Sequence, residues 1–152
     1  MRPAIRSVFI AIALLLATAA YAASDTPVGT WTQVDDVTGK PKSVVEITQL
    51  PDGTLQAVVK QVIFSPQGTH PLCEKCTGDR HNQPVDGMII MWGVKHDGGV
   101  WDGGQILDPA SGKVYKVKLS MADGGQKLDV RGYVGVPMFG RTQTWLRKSN
   151  PD

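Results

Sequence analysis

The sequence predicts an all-β fold, a single antiparallel up-and-down β-barrel of about eight strands. Three observations predict it. Apolar and polar residues alternate through residues 114–121 and again through 127–134, the period of two that a half-buried strand shows. Turn-forming clusters separate the runs, DPASG at 108–112 and DGG at 123–125, where Gly, Pro and Asp each favour a reversal for a different steric reason. No window beyond the first residues sustains helical periodicity.

The elements follow in order. Residues 28–34 (VGTWTQV) read as a first strand, and 35–41 as a turn. Residues 43–50 form a second strand, closed by Pro51-Asp52-Gly53, a tight hairpin signal because Gly accepts positive φ. Residues 54–64 are rich in β-branched side chains and make a third strand. The segment 65–86 breaks every pattern, with three prolines and both cysteines. Residues 87–94 read as a buried strand, 96–99 as a turn, and 100–107 as the next strand. After the two alternating runs, residues 136–140 make the last corner and 141–148 the last strand. Short hairpins join sequential antiparallel neighbours. Closing the sheet removes its exposed edges. A two-sheet sandwich is the rival, but it needs more long connections than the single one at 65–86.

Residues 1–22 have the form of a signal peptide. Arg2 and Arg6 precede an apolar run at 8–18, and Ala20-Tyr21-Ala22 fits a small-x-small cleavage pattern. The run is short for a membrane span, which needs about 20 apolar residues. An exported protein is expected, periplasmic or secreted, with residues 23–152 as one domain and no transmembrane segment after cleavage. The leader holds two of the 16 basic residues and no acid, so the remainder balances the 14 acidic residues. A neutral domain without a basic block argues against nucleic acid as a partner and against electrostatic docking on a membrane.

A set of motifs resembles one bacterial exported family, the domain of unknown function 2147. They are Gly29-Thr-Trp31, Asp36-x-Thr-Gly-Lys40, Cys73-x-x-Cys76-x-Gly78, GQILDPASGKVY at 104–115, LDVRGYVG at 128–135 and GRTQTWLR at 140–147. The resemblance covers nearly all of residues 23–152 and implies a lipocalin-like barrel around a cavity; the family has no settled activity. Gly29-x-Trp31 with Trp145-x-Arg147 is similar to the lipocalin pattern. That pattern implies Arg147 stacked on Trp31 at the closed end, a cation–π contact worth roughly 0.5–2 kcal/mol.

The candidate chemistry is sparse. Cys73 and Cys76 are the only cysteines, and in an exported chain a disulfide pinning the 65–86 loop is expected. A redox pair is the alternative, but such pairs open a helix, whereas TGDRHNQP follows here. His70, Cys73, Cys76 and His81 could also form a tetrahedral metal set, at a spacing unlike zinc fingers; no metal site is assigned. On the last strand Arg141, Gln143, Trp145 and Arg147 share a face. A buried Arg needs a partner, and a ligand carboxylate suits its planar fork; the alternative places Arg141 at the rim in water. Tyr115, Trp92 and Trp145 are candidate lining residues. Parity turns Tyr115, Val117, Leu119, Leu128 and Val130 inward.

Catalytic signatures are absent: no Gly-x-Ser-x-Gly, no P-loop, no dinucleotide fingerprint and no His-Glu-x-x-His occur. No cofactor is expected. The function read from the sequence is a non-catalytic binder of a small apolar or amphipathic ligand, a lipid or fatty acid, held through Arg141, Gln143, Tyr115, Trp92 and Trp145. The alternatives are a filled-barrel envelope module with a protein partner at 65–86, and a redox or metal site at Cys73/Cys76.

Overall fold

The structure is a computed structural model that describes residues 25–149. The signal peptide expected at 1–22 lies outside the described residues. Eight strands run in order: β1 (Gly29–Val34), β2 (Pro41–Gln49), β3 (Leu55–Val62), β4 (Ile89–Asp97), β5 (Val100–Asp108), β6 (Lys113–Ala122), β7 (Lys127–Tyr133) and β8 (Gly140–Arg147). Each pairs antiparallel with the next. β8 returns to β1 through Trp31↔Arg147 and Thr32↔Leu146, so the barrel is closed. Among the described residues no helix is long and apolar enough to cross a membrane.

Side-chain chemistry sets the turns. After β1 the Asp35 carboxylate accepts from the backbone N–H of Thr38 (2.8 Å), the Thr38 hydroxyl (3.0 Å) and the Val37 N–H (3.1 Å). The Thr38 bonds hold its carboxyl below the ordinary carboxylate range. Asp52 is lowered in the same way by the Thr54 hydroxyl and N–H. Between β4 and β5 only Gly98 (φ 54°) and Gly99 (φ 96°) leave the ladder. Two positive φ angles make the mirror-image turn whose twist matches the strands. The four-residue turn expected at 96–99 is therefore shorter. His96 lies in β4, opposite Trp101, with ring centroids 5.0 Å apart.

An up-and-down barrel sends alternate connections to opposite ends. The closed end gathers the β2–β3, β4–β5 and β6–β7 turns with the start of β1 and the end of β8. Its half of the interior is packed by Trp31, Trp145, Val45, Ile47, Leu119 and Leu128, each fully buried. Each contributes about 1.5–3 kcal/mol through removal of its apolar surface from water. The inward parity of β6 and β7 is seen at Val117, Leu119, Leu128 and Val130, all buried. Tyr115, on the same face, is half-buried toward the other end.

That other end is the mouth. It gathers the β1–β2, β5–β6 and β7–β8 turns and the long 65–86 connection. Most of the connection is exposed, but it is anchored at a few buried residues. Cys73 and Cys76 are joined by a disulfide, and both are buried in the core cluster with Val85, Met88 and Leu107. Leu72 bridges Pro84, Cys73 N–H donates to the Gln83 carbonyl, and Val85 N–H donates to the Pro71 carbonyl. The Asp86 carboxylate accepts from Val62 N–H at 2.8 Å, tying the segment to the end of β3. It docks on the β5–β6 turn so closely that a Cβ on Gly112 would stand 1.9 Å from the Lys75 carbonyl oxygen.

Candidate functional site

The mouth half of the barrel is hollow. A cavity of about 720 Å³ descends from the rim into the interior, within the roughly 300–1,000 Å³ of small-molecule sites. Its depth is apolar: Val59, Val62, Ile90, Ile106 and Val130 line it, beside the wall left bare by Gly132. A filled barrel would leave no such space.

Polar groups collect near the rim. Ser43, almost fully buried, donates its hydroxyl to the Gln33 side-chain oxygen across β1 and β2. Gln143 and Tyr115 face the same space. Lys42 and Lys75 also line it, and among the described residues neither has a carboxylate within ion-pair distance. The two lining acids are engaged: Asp108 accepts from Ala110 N–H (3.0 Å) and the Ser111 hydroxyl (2.7 Å), and Glu74 accepts from the Gln67 amide at 3.2 Å. Lys42 and Lys75 are thus rim cations outside any ion pair among the described residues.

The residues singled out from the sequence divide. Arg141, Gln143 and Tyr115 line the cavity. Arg141 takes the rim position: its side chain is 70% exposed and its guanidinium pairs with Asp36 of the β1–β2 turn. Trp92 does not line the cavity. It pairs in register with Gln105, donates its indole N–H to that side chain at 3.2 Å, and carries the Arg80 guanidinium 4.5 Å over its ring. Strand alternation sets it opposite Met91, which is fully buried. Trp145 is core: it is fully buried beneath the cavity, and its indole N–H has no acceptor among the described residues.

At the closed end Arg147 stacks over Trp31 at 4.2 Å. The metal alternative meets a different geometry. The disulfide ties up both sulfurs, His70 Nδ1 lies 3.0 Å from the Asp86 carboxylate, and His81 Nδ1 lies 3.0 Å from the Cys76 carbonyl. Among the described residues no three His, Cys, Asp or Glu side chains gather to hold a metal ion.

The sequence reading missed Lys42, Lys75 and the Gln33–Ser43 pair. It also missed the 65–86 segment as a cavity wall, formed by Pro66, Pro71, Leu72 and Val85. Register alone could have found Ser43, because it shares an inward parity with Val45 and Ile47. The two lysines reach the rim from a strand end and from an irregular segment, where no periodicity points.

Comparison with known proteins follows the same lines. A family described as "Uncharacterized protein conserved in bacteria (DUF2147)" matches residues 29–147. No curated protein matches. A solved structure, protein HP1028 from Helicobacter pylori, described as belonging to the lipocalin family, superposes with a TM-score of 0.68 at 19% identity. The match covers 80% of this chain and 82% of that one. At that identity the likeness is one of fold.

Proposed function

We propose, from the premise that the chain belongs to the bacterial DUF2147 family, that it is an exported, non-catalytic carrier of a small amphipathic acid of the fatty-acid class. The observation that carries this reading is the cavity, apolar in its depth and edged by Lys42, Lys75 and Arg141. An acyl chain suits the interior, where its burial contributes about 0.8 kcal/mol per methylene. A carboxylate suits the rim, where charge-assisted hydrogen bonds to Arg141 and the lysines hold the head. The lipocalin-like barrel supports the reading at the level of fold. The leader at residues 1–22 supports export, to the periplasm or beyond the cell.

The test is a fluorescence titration with a long-chain fatty acid and the alcohol of equal length. The unsubstituted protein binds both, the acid more tightly. Arg141→Ala weakens the acid and spares the alcohol. Gly132→Leu abolishes both, because Gly132 has ordinary negative-φ backbone and a Cβ there meets only Tyr115 and Ile106 at 3.6–3.9 Å before projecting into the space. Equal affinity for acid and alcohol removes the head-group assignment. Undiminished binding by Gly132→Leu removes the cavity as the site.

A further inference from the structure

The exposed apolar side chains of this barrel stand at one end. Val37, Phe64, Leu72, Val136, Met138 and Phe139 all surround the mouth, and among the large apolar side chains exposed in the described residues only Leu146 belongs to the closed end. The densest group is the β7–β8 connection, VGVPMF at 134–139, where Met138 is 79% and Phe139 69% exposed. Patches of this kind mark contact with another apolar phase.

This tip is held rigidly outward. Arg131 donates to the Pro137 carbonyl (2.6 Å), the Met138 carbonyl (3.4 Å) and the Thr142 hydroxyl (2.9 Å). Lys116 donates to the Gly135 carbonyl at 3.4 Å. Val136 N–H donates to Val134, Phe139 N–H to Val136, and Val134 N–H to Phe139. Every carbonyl from Val134 to Phe139 thus accepts a hydrogen bond from the protein. A surface hairpin in water has no need of this, since water satisfies exposed carbonyls. A segment at the acyl boundary gains from it, because lipid offers no donor; the N–H groups of Gly135 and Met138, which have no protein acceptor among the described residues, stay at the hydrated interface. The two cations that satisfy the tip also stand at its base, and among the described residues neither has a carboxylate within ion-pair distance. Residues 23–152 are neutral overall, so the match is local: an apolar tip with two cations at its base has the layering of an anionic bilayer, hydrocarbon beneath phosphate.

We propose that the mouth face docks on an anionic phospholipid bilayer, with the apolar side chains of residues 134–139 entering the acyl region and Arg131 and Lys116 at the headgroup level. Val134 and Phe139 also line the cavity, so the docked barrel opens against the membrane. This goes beyond the carrier reading and does not depend on it.

The experiment is flotation of the purified protein with vesicles of phosphatidylethanolamine and phosphatidylglycerol, and with vesicles of phosphatidylcholine alone. The protein floats with the first and weakly with the second, and salt releases it. The double substitution Val136→Ser with Met138→Ser, at two exposed side chains outside the cavity, lowers partition at least about tenfold with an unchanged circular dichroism spectrum. Gly132→Leu floats as the unsubstituted protein does, so docking and cargo binding are read separately. Failure to float at any composition, or equal flotation of the double variant, overturns the proposal. So does capture of an envelope protein through the hairpin in the absence of vesicle binding.

Discussion

The guanidinium of Arg147 lies 4.2 Å over the ring of Trp31, at the seam of the barrel. The two residues are register partners where β8 closes onto β1. Arg147 also donates to the carbonyls of Gly125 (2.7 Å), Thr26 (2.8 Å) and Val28 (3.2 Å), while the Trp31 indole donates to Pro27 at 2.8 Å. Gly29 is part of the same device. A Cβ there would stand 2.8 Å from Arg147 Nη1, and φ is +140°, so the Gly-x-Trp spacing makes room for the arginine. Burial lowers the Arg147 pKa, yet the group stays charged at any pH the fold survives. Arg147→Ala removes the stack and leaves three carbonyls without their donor. A loss of about 2–4 kcal/mol is expected in urea denaturation. Arg147→Lys recovers less than half of it, because an ammonium lacks the planar fork. A loss under about 0.5 kcal/mol for the alanine variant, the range of ordinary surface substitutions, would show that the seam holds without the stack.

The strand order and the closed barrel were legible in the sequence because each rests on a local rule, whereas the Trp31–Arg147 pair followed only from the resemblance to the lipocalin pattern. Alternation gives the strands, glycine-bearing turns give the reversals, and short reversals dictate neighbour pairing. The cavity wall was not legible. Trp92 has the parity of Ile90, yet Ile90 lines the cavity and Trp92 does not, because β4 pairs with β3 through register irregularities beside Leu55, Ala57 and Val58. A register shift breaks the period of two on which facing is inferred. The 65–86 segment carries no period at all, so its packing by Cys73, Cys76 and Val85 had no signature beyond the cysteines themselves. Arg141 was placed on the correct face, but its pairing with Asp36 spans 105 positions, which no local pattern encodes.

Docking of that segment depends on Gly112. Its φ is +70°, and a Cβ would meet the Lys75 carbonyl oxygen at 1.9 Å. Gly124, with φ +60° and nothing within 4 Å, is the natural control. Gly124→Ala costs about 1 kcal/mol through backbone strain alone. Gly112→Ala carries that strain and also lifts residues 65–86 off the β5–β6 turn, for a total of about 2 kcal/mol or more. Limited proteolysis gives the local readout. The Gly112 variant is cut within 65–86 at protease levels that spare the Gly124 variant. Equal cleavage of the two would mean the segment does not rely on that contact.

Tyr133 is expected to contribute to the alkaline limb of stability. It is buried on the outer face of β7, opposite Lys116 in register, and its hydroxyl donates to the Asp102 carboxylate at 3.2 Å. Burial first, and then the bond and charge of Asp102, raise the phenol above its ordinary 10.0. The sign follows from linkage. The unfolded chain releases this proton at lower pH than the fold, so the contribution of the neutral phenol is complete below pH 10.0. It is lost as pH rises from there through the raised value. Tyr133→Phe cannot titrate. Near neutral pH it loses about 1 kcal/mol with the hydrogen bond, while Asp102 keeps its bond from Gly103 N–H at 2.7 Å. As pH rises through 10.0 and beyond, the urea midpoint of the unsubstituted protein falls more steeply than that of Tyr133→Phe, and the two curves converge. Parallel curves over that rise would show that the phenol does not contribute to the alkaline limb.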